Sequence, residues 1–261
     1  MTRSAKWADL QVRVTSGLLL AGVGVTEVAL GGWWFKALIV AASAVMLWEL
    51  ATMLGAEAVA LAAGAAGAVA LLLAEAIHGP VGLIVQLIAA AGVAAQVKRD
   101  RTVGFAYAAA ILLAASALMY FRDFFGGTWL FWLILVVIVT DVFGYFAGRL
   151  IGGPKFWPKV SPKKTWSGTI AGWVGAAAVG AVFLAVTKAG PALVWVSVLV
   201  SFASQMGDIA ESAIKRRSGV KDSSRLIPGH GGLLDRFDGL MGASLMMLVL
   251  TLLLAAPVMR N

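Results

Sequence analysis

Residues 128–148 read TWLFWLILVVIVTDVFGYFAG. A helix of this length, rising about 1.5 Å per residue, crosses the roughly 30 Å of hydrocarbon in a bilayer, and Asp141 is its only charged residue. Comparable apolar windows lie on both sides of it, at 14–32, 33–54, 58–77, 80–97, 103–121, 168–188, 191–207 and 237–257. With 61% hydrophobic and 13% charged residues in a chain of 261, and a mean hydropathy of +0.90, a soluble globule would expose far too much apolar surface. In hydrocarbon each backbone group must find its partner within its own segment, and unalternated runs of Ala, Leu, Val and Gly favour helices over barrel strands. The expected fold is therefore all-α and polytopic, with about nine transmembrane helices. Residues 1–125 read as a scaffold of membrane helices. Residues 126–261 carry two long polar loops, 149–167 and 208–236, and read as the region where the chemistry lies.

Arg3, Lys6 and Arg13 precede the first apolar run, as in a signal peptide. That run is as long as a membrane span and the chain re-enters the membrane after it, so it reads as an uncleaved first helix. No cysteine is present, which excludes disulfides and thiolate metal sites. With a cytoplasmic N-terminus and nine spans, only Lys36, Arg122, Lys188 and Arg260 fall on the far side, and the other cationic residues share the near side. This positive-inside bias places both polar loops in the cytoplasm, in a multi-pass protein of the cell (inner) membrane. The net charge of +8 then suits anionic lipid head groups and nucleotide phosphates. Nucleic acid is a poor partner, because most basic residues flank helices and no nucleic-acid-binding domain accompanies them.

Residues 56–78, AEAVALAAGAAGAVALLLAEAIH, are almost all small or aliphatic, which suits close helix packing. Glu27 and Glu49 lie within spans, where a carboxylate is costly enough to suggest function. A neutral, hydrogen-bonded glutamate between helices explains them equally well, and both are left outside the site. Asp141 opens the stretch DVFGYFAGRLIGG, in which Gly144, Gly148 and Gly152 recur at four-residue spacing. That small-residue face fits plain helix packing, while an aspartate beside it, pointing toward a basic loop, fits a polar cavity.

The first polar loop ends in SPKKT, with Lys163 and Lys164 just before a helix that begins near Thr165 to Gly168. Two ammonium groups beside outward-pointing N–H groups make an anion site, and an ordinary positive-inside flank is the alternative. The eighth apolar segment continues past the interface as SQMGDIAESAIKRRSG and stops at Gly219. Asp208, Glu211, Ser212 and Lys215 then share one helical face. A salt-bridged helix accounts for Glu211 with Lys215, yet it leaves Asp208 at the membrane border unexplained.

Residues 221–238, KDSSRLIPGHGGLLDRFD, follow. Lys221, Arg225 and Arg236 supply cations, Asp222, Asp235 and Asp238 supply carboxylates, and Gly229, Gly231 and Gly232 surround His230 so that backbone can approach a ligand closely. Carboxylates near phosphate-binding cations suit Mg²⁺-dependent phosphoryl or nucleotidyl chemistry, since Mg²⁺ takes one or two carboxylates and completes its shell with phosphate and water. Zinc is a poor fit, because His78 and His230 are the two histidines and lie on opposite faces in this topology. For His230 a general base, a phosphate donor and a structural turn residue all remain open.

The run from Ser204 to Asp238 closely resembles the C-terminal signature of phosphatidate cytidylyltransferases, also called CDP-diacylglycerol synthases, written S-x-x-K-R-x-x-x-x-K-D-x-x-x-x-[IL]-P-G-H-G-G-x-x-D-R-x-D. Every fixed position is filled, from Ser212, Lys215 and Arg216 through Lys221, Asp222 and Ile227 to Asp235, Arg236 and Asp238. The family's upstream pattern, D-x-x-A-Y-x-x-G-R-x-x-G followed by I-S-P-K-K-T-x-E-G, is recognisable from Asp141 to Gly168. Gly144, Val160 and Ser167 depart from it, and Ser167, replacing a glutamate, is given no role.

The resemblance implies a nucleotidyltransferase that converts CTP and phosphatidic acid into CDP-diacylglycerol and pyrophosphate in a cytoplasm-facing polar cavity. It implies a metal centre of Mg²⁺ with K⁺, held by Asp208 and Asp235 and supported by Asp238, and a homodimer. Lys163, Lys164, Lys215, Lys221 and Arg225 would neutralise the triphosphate or the lipid phosphate, with Asp141, Asp222, His230 and Arg236 lining the same site. A CTP-dependent kinase acting on a polyprenol or phytol is an alternative enzyme and a membrane transporter the non-enzyme alternative. The densest polar residues lie in loops, away from the mid-membrane depth of transporter sites. A CDP-alcohol phosphotransferase would need a D-G-x-x-A-R run that is missing.

Overall fold

A computed structural model describes residues 15, 22–26, 28–77 and 79–254. The first expected span lies mostly outside these residues, as do Glu27, His78 and the flanking Arg3, Lys6, Arg13 and Arg260. Among the described residues eight helices are long and apolar enough to cross a membrane, so the chain is all-α and polytopic. They are α1 (Gly32–Met53), α2 (Ala60–Ile77), α3 (Gly79–Gln96), α4 (Arg101–Phe125), α5 (Gly127–Leu150), α6 (Trp166–Val186), α7 (Ala192–Ser218) and α8 (Leu234–Leu254). The chain divides into two compact units, one of Met1–Met119 with Arg217–Phe237, the other of Tyr120–Arg216 with Asp238–Asn261.

In the first unit the small-residue segment packs closely. A Cβ on Gly64 would lie 2.6 Å from the Ala44 carbonyl oxygen, and one on Gly67 would lie 2.0 Å from Leu47 Cδ1, so α2 rests on α1 at near-backbone distance. The end of α1 is tied as well, since the Leu54 carbonyl accepts from Lys98 N at 3.2 Å and Arg99 N at 3.4 Å.

The second unit is built around a polar seam on α7. Ser197, Ser201, Gln205, Asp208, Ser212 and Lys215 follow one another at steps of three or four residues and so share one face. The buried Trp132 donates from Nε1 to Ser197 Oγ at 3.2 Å, and Thr140 Oγ1 lies 2.8 Å from Ser201 Oγ. Gln205 accepts from Trp173 Nε1 at 3.1 Å and donates to the Thr169 carbonyl at 3.2 Å. Ser197, Ser201 and Gln205 thus each find a partner on α5 or α6, as buried polar groups need where water is absent.

Glycines set the spacing of these helices. A Cβ on Gly168 would lie 2.5 Å from the Gly144 carbonyl oxygen, and one on Gly148 would lie 2.9 Å from Thr165 Oγ1. Gly144 and Gly148 are therefore packing residues, whereas a Cβ on Gly152 would meet nothing within 4 Å and that residue turns the chain at φ +68°. Between α7 and α8 a Cβ on Gly207 would lie 2.2 Å from the Asp238 carbonyl oxygen, and one on Gly242 would lie 2.1 Å from the Ala203 carbonyl oxygen.

The loop expected at 149–167 contains a short antiparallel hairpin, β1 (Lys155–Trp157) and β2 (Ser161–Thr165), which pairs Lys155 with Thr165 and Trp157 with Ser161. Its cause is local: Trp157 precedes Pro158 and Ser161 precedes Pro162, and a residue before proline is driven toward extended backbone.

Gly207→Ala and Gly242→Ala each force a methyl group into a backbone carbonyl, and each should cost about 1–3 kcal/mol. Gly92, where an added Cβ would meet nothing within 4 Å, is the control. Melting of the purified protein in detergent should drop for both variants and stay at the wild-type temperature for Gly92→Ala.

Candidate active site

The β2 strand delivers Lys163 and Lys164 to the head of α6. Thr165 caps that helix, its Oγ1 accepting from Gly168 N at 3.2 Å. Trp166 N donates to the Pro154 carbonyl at 3.0 Å, and Ser167 Oγ donates to the Gly152 carbonyl at 2.5 Å. Ser167, in the first turn of α6, therefore fastens that helix to the turn after α5, a role its sequence context left blank.

In the second unit a cavity of about 380 Å³ is lined by Asp141, Lys163, Lys164, Gln205 and Asp208, with Gly144, Gly148 and Gly168 forming its close-packed wall. The Gly144–Gly148 face is thus both helix packing and cavity wall. Lys164 reaches across the cavity: its Nζ lies 2.5 Å from Asp208 Oδ2 and donates to the Gln205 carbonyl at 3.2 Å. Ser212 Oγ donates to Asp208 Oδ1 at 3.3 Å, so both carboxylate oxygens are oriented. One helical turn further, Lys215 pairs with the buried Glu211 at 2.5 Å, as the salt-bridged reading of this face expected. Asp238 accepts from Gly239 N at 2.7 Å, in the second turn of α8.

In the first unit Lys221, Asp222, Arg225, His230 and Arg236 line a second cavity, of about 460 Å³. It is formed by a tight turn in which Ile227 N donates to the Gly231 carbonyl at 2.8 Å and His230 N to the Ile227 carbonyl at 2.9 Å. Gly229 and Gly231 adopt φ +76° and +83°, backbone that residues with a Cβ avoid. Arg236 braces this turn by donating from Nε and Nη2 to the His230 carbonyl, at 3.0 and 2.7 Å.

Asp235 stands behind the turn. Its Oδ2 accepts from Ser223 N at 2.9 Å, Ser223 Oγ at 2.9 Å and Gly232 N at 2.7 Å. Two of the glycines around His230 also make room for the chain's own side chains. A Cβ on Gly231 would lie 2.7 Å from Asp235 Oδ2, and one on Gly232 would lie 2.3 Å from Glu49 Oε1, so the chain's own carboxylates take that room. Glu49, left outside the site by its sequence, is fully buried and accepts from the Leu233 and Leu234 N–H groups at 2.9 and 2.7 Å. Its only signal in the sequence was a carboxylate placed inside an apolar span.

Among the described residues no three His, Asp or Glu side chains gather to hold a metal ion. The seat of the Lys164 ammonium nonetheless shows two hard oxygens, one of Asp208 and one of the Gln205 carbonyl, converging on a cation. Oxygen donors of this kind suit Mg²⁺.

Residues 11–254 match the sequence model of the Cytidylyltransferase family. The chain is 46% identical over 136 residues to a phosphatidate cytidylyltransferase of Brucella abortus, covering 51% of this chain and 50% of that protein. Proteins of the same name from Bacillus subtilis and Haemophilus influenzae are 39% identical over 122 residues and 41% identical over 132 residues, covering 46% and 48% of this chain and 45% and 46% of theirs. The chain spans about half the length of the curated relatives it matches.

Replacing Thr165 by valine keeps the shape of the side chain and removes the cap of α6. The variant should lose roughly 1 kcal/mol of stability, visible as a lower melting temperature in detergent, while Thr26→Val, whose hydroxyl only returns to the Gly22 carbonyl of its own segment at 2.7 Å, should melt as the wild type does.

Proposed function

The chain belongs to the cytidylyltransferase family, and on that premise we propose that it is a phosphatidate cytidylyltransferase, joining CTP and phosphatidic acid into CDP-diacylglycerol and releasing pyrophosphate. The observation that carries this reading is the cavity at the end of the α7 seam, where Lys163 and Lys164 face Asp141 and Asp208. It sets cations for phosphate beside carboxylates for a metal ion, at the polar end of helices long enough to span a membrane.

In the reaction a phosphate monoester oxygen of phosphatidic acid attacks the α-phosphorus of CTP. The bond to the β-phosphate breaks, and its electron pair leaves with pyrophosphate. The nucleophile is already anionic near neutral pH, so no strong general base is needed and His230 need not act as one. The obstacles are repulsion between two anions and charge accumulating on the leaving group, both relieved by positioned cations. Lys163 and Lys164 would supply such charge in one cavity, and Lys221 and Arg225 in the other, with Lys215 adding to it. Asp141, Asp222, His230 and Arg236 would line or brace the substrate sites.

A divalent metal ion would add Lewis-acid stabilisation of the same charge. Mg²⁺ with K⁺ is the proposed pair. Asp208 would hold the divalent ion, supported by the way its carboxylate already shares a cation with the Gln205 carbonyl. For Asp235 and the supporting Asp238 the family resemblance alone argues. Lys164 would then release Asp208 and turn to phosphate. The excess of Lys and Arg near the polar loops supports a cytoplasmic active face in the inner membrane, and the resemblance supports a homodimer.

The test is a vesicle assay with CTP labelled in the cytidine, phosphatidic acid and Mg²⁺. Label should enter lipid only when phosphatidate is present. Asp208→Asn and Asp235→Asn should each lower the rate on the order of 100-fold or more. Transfer of the γ-phosphate alone would reveal a lipid kinase instead, and absence of any cytidine incorporation by the wild type would refute the assignment.

A further inference from the structure

We propose that Glu49 is a positioning residue of the active site, the acceptor on which the loop carrying Lys221, Arg225 and His230 is hung. The inference rests on the preceding reading of that loop as substrate-binding. Glu49 sits in the last turns of α1 with none of its side chain exposed. Its Oε1 accepts from Ser224 Oγ at 2.5 Å and from Leu233 N at 2.9 Å. Its Oε2 accepts from Leu234 N at 2.7 Å and lies 3.3 Å from Ser223 Oγ. Since Ser223 Oγ is nearer to Asp235 Oδ2, at 2.9 Å, its single proton lies between two carboxylates.

These donors come from the two ends of one segment. Ser223 and Ser224 begin the turn that forms the second cavity, and Leu233 and Leu234 end it where α8 starts. The N–H groups at a helix start have no partner within the helix, and here a carboxylate from a membrane helix takes two of them. Asp235 fastens the same ends from the other side, through Ser223 N and Gly232 N. Gly232 lies between the two clamps, where a Cβ would stand 2.0 Å from Ser223 Oγ and 2.3 Å from Glu49 Oε1.

The chemistry of the donor set explains why the residue is a glutamate. The backbone N–H groups and the Ser224 hydroxyl all present hydrogens, so the group that meets them must accept at both oxygens. A carboxylate does so. A glutamine of the same shape turns an NH₂ toward one pair of donors and leaves them unmet in a buried site. Such a loss falls on the loop, because the groups Glu49 accepts from are those of Ser223, Ser224, Leu233 and Leu234.

The full chain in phosphatidylcholine nanodiscs provides the test, comparing wild type with Glu49→Gln. One arm follows trypsin cleavage after Lys221 and Arg225 by mass spectrometry, with cleavage after Lys163 and Lys164 as the internal reference. The other measures cytidine transfer at varied CTP. A released loop should be cut about tenfold faster while the reference bonds keep their rate, and KM for CTP should rise about tenfold with a smaller change in kcat. Wild-type behaviour in both arms would overturn the proposal. So would a uniform rise of cleavage at all four sites with a lower melting temperature, since that marks a role in the fold alone. Should Glu49→Gln not fold, Ser224→Ala, which removes one donor, decides by the same bonds: selective acceleration supports the clamp and wild-type rates refute it. If wild type transfers no cytidine, the enzymatic reading fails, while the proteolysis arm still decides whether Glu49 holds the loop.

Discussion

A backbone in hydrocarbon has no water to bond with, and every other feature of this protein is arranged around that constraint. It makes the segments helical, and it makes a buried polar side chain without a partner costly. The seam on α7 meets the demand stepwise. Ser197 takes the Trp132 indole, Ser201 lies against Thr140, and Gln205 bridges Trp173 and Thr169. Continuing the same face brings Asp208 to the cavity where Lys164 meets it. The polar line that is satisfied inside the bundle thus continues to the charged cavity.

Close approach of the helices is what allows such short reaches. Gly144 against Gly168, and Gly207 and Gly242 at the α7–α8 crossing, remove the side chains that would hold backbones apart. In a membrane, where apolar burial gives little drive for helices to associate, this contact and the seam's hydrogen bonds are the available cohesion. Gly144 and Gly168 also line the cavity, so the packing of α5 on α6 shapes one of its walls.

Much of this was legible from residue order. Membrane solvent, helix limits and the extension of α7 to Ser218 follow from local pattern, because apolar length and a stopping glycine act over a few residues. So does the face shared by Asp208, Ser212 and Lys215. Less legible was the hairpin at 155–165, which needs the pairing of Lys155 with Thr165 although its prolines already disfavoured helix. That Arg236 also holds the His230 carbonyl could not be read from residue type. That Gly232 admits Glu49 was equally hidden. Each of these depends on a partner whose identity residue type does not reveal.

By itself the sequence determined the solvent, the helical class and the chemical character of the polar loops, since these follow from composition and from periodicity within one helix. Only the tertiary structure decided which carboxylates are engaged by the chain's own donors. Glu49 and the groups it holds are 174 to 185 residues apart, and no local rule links positions at that distance. Their meeting is enforced by the cost of leaving a buried carboxylate and the first N–H groups of a helix without each other.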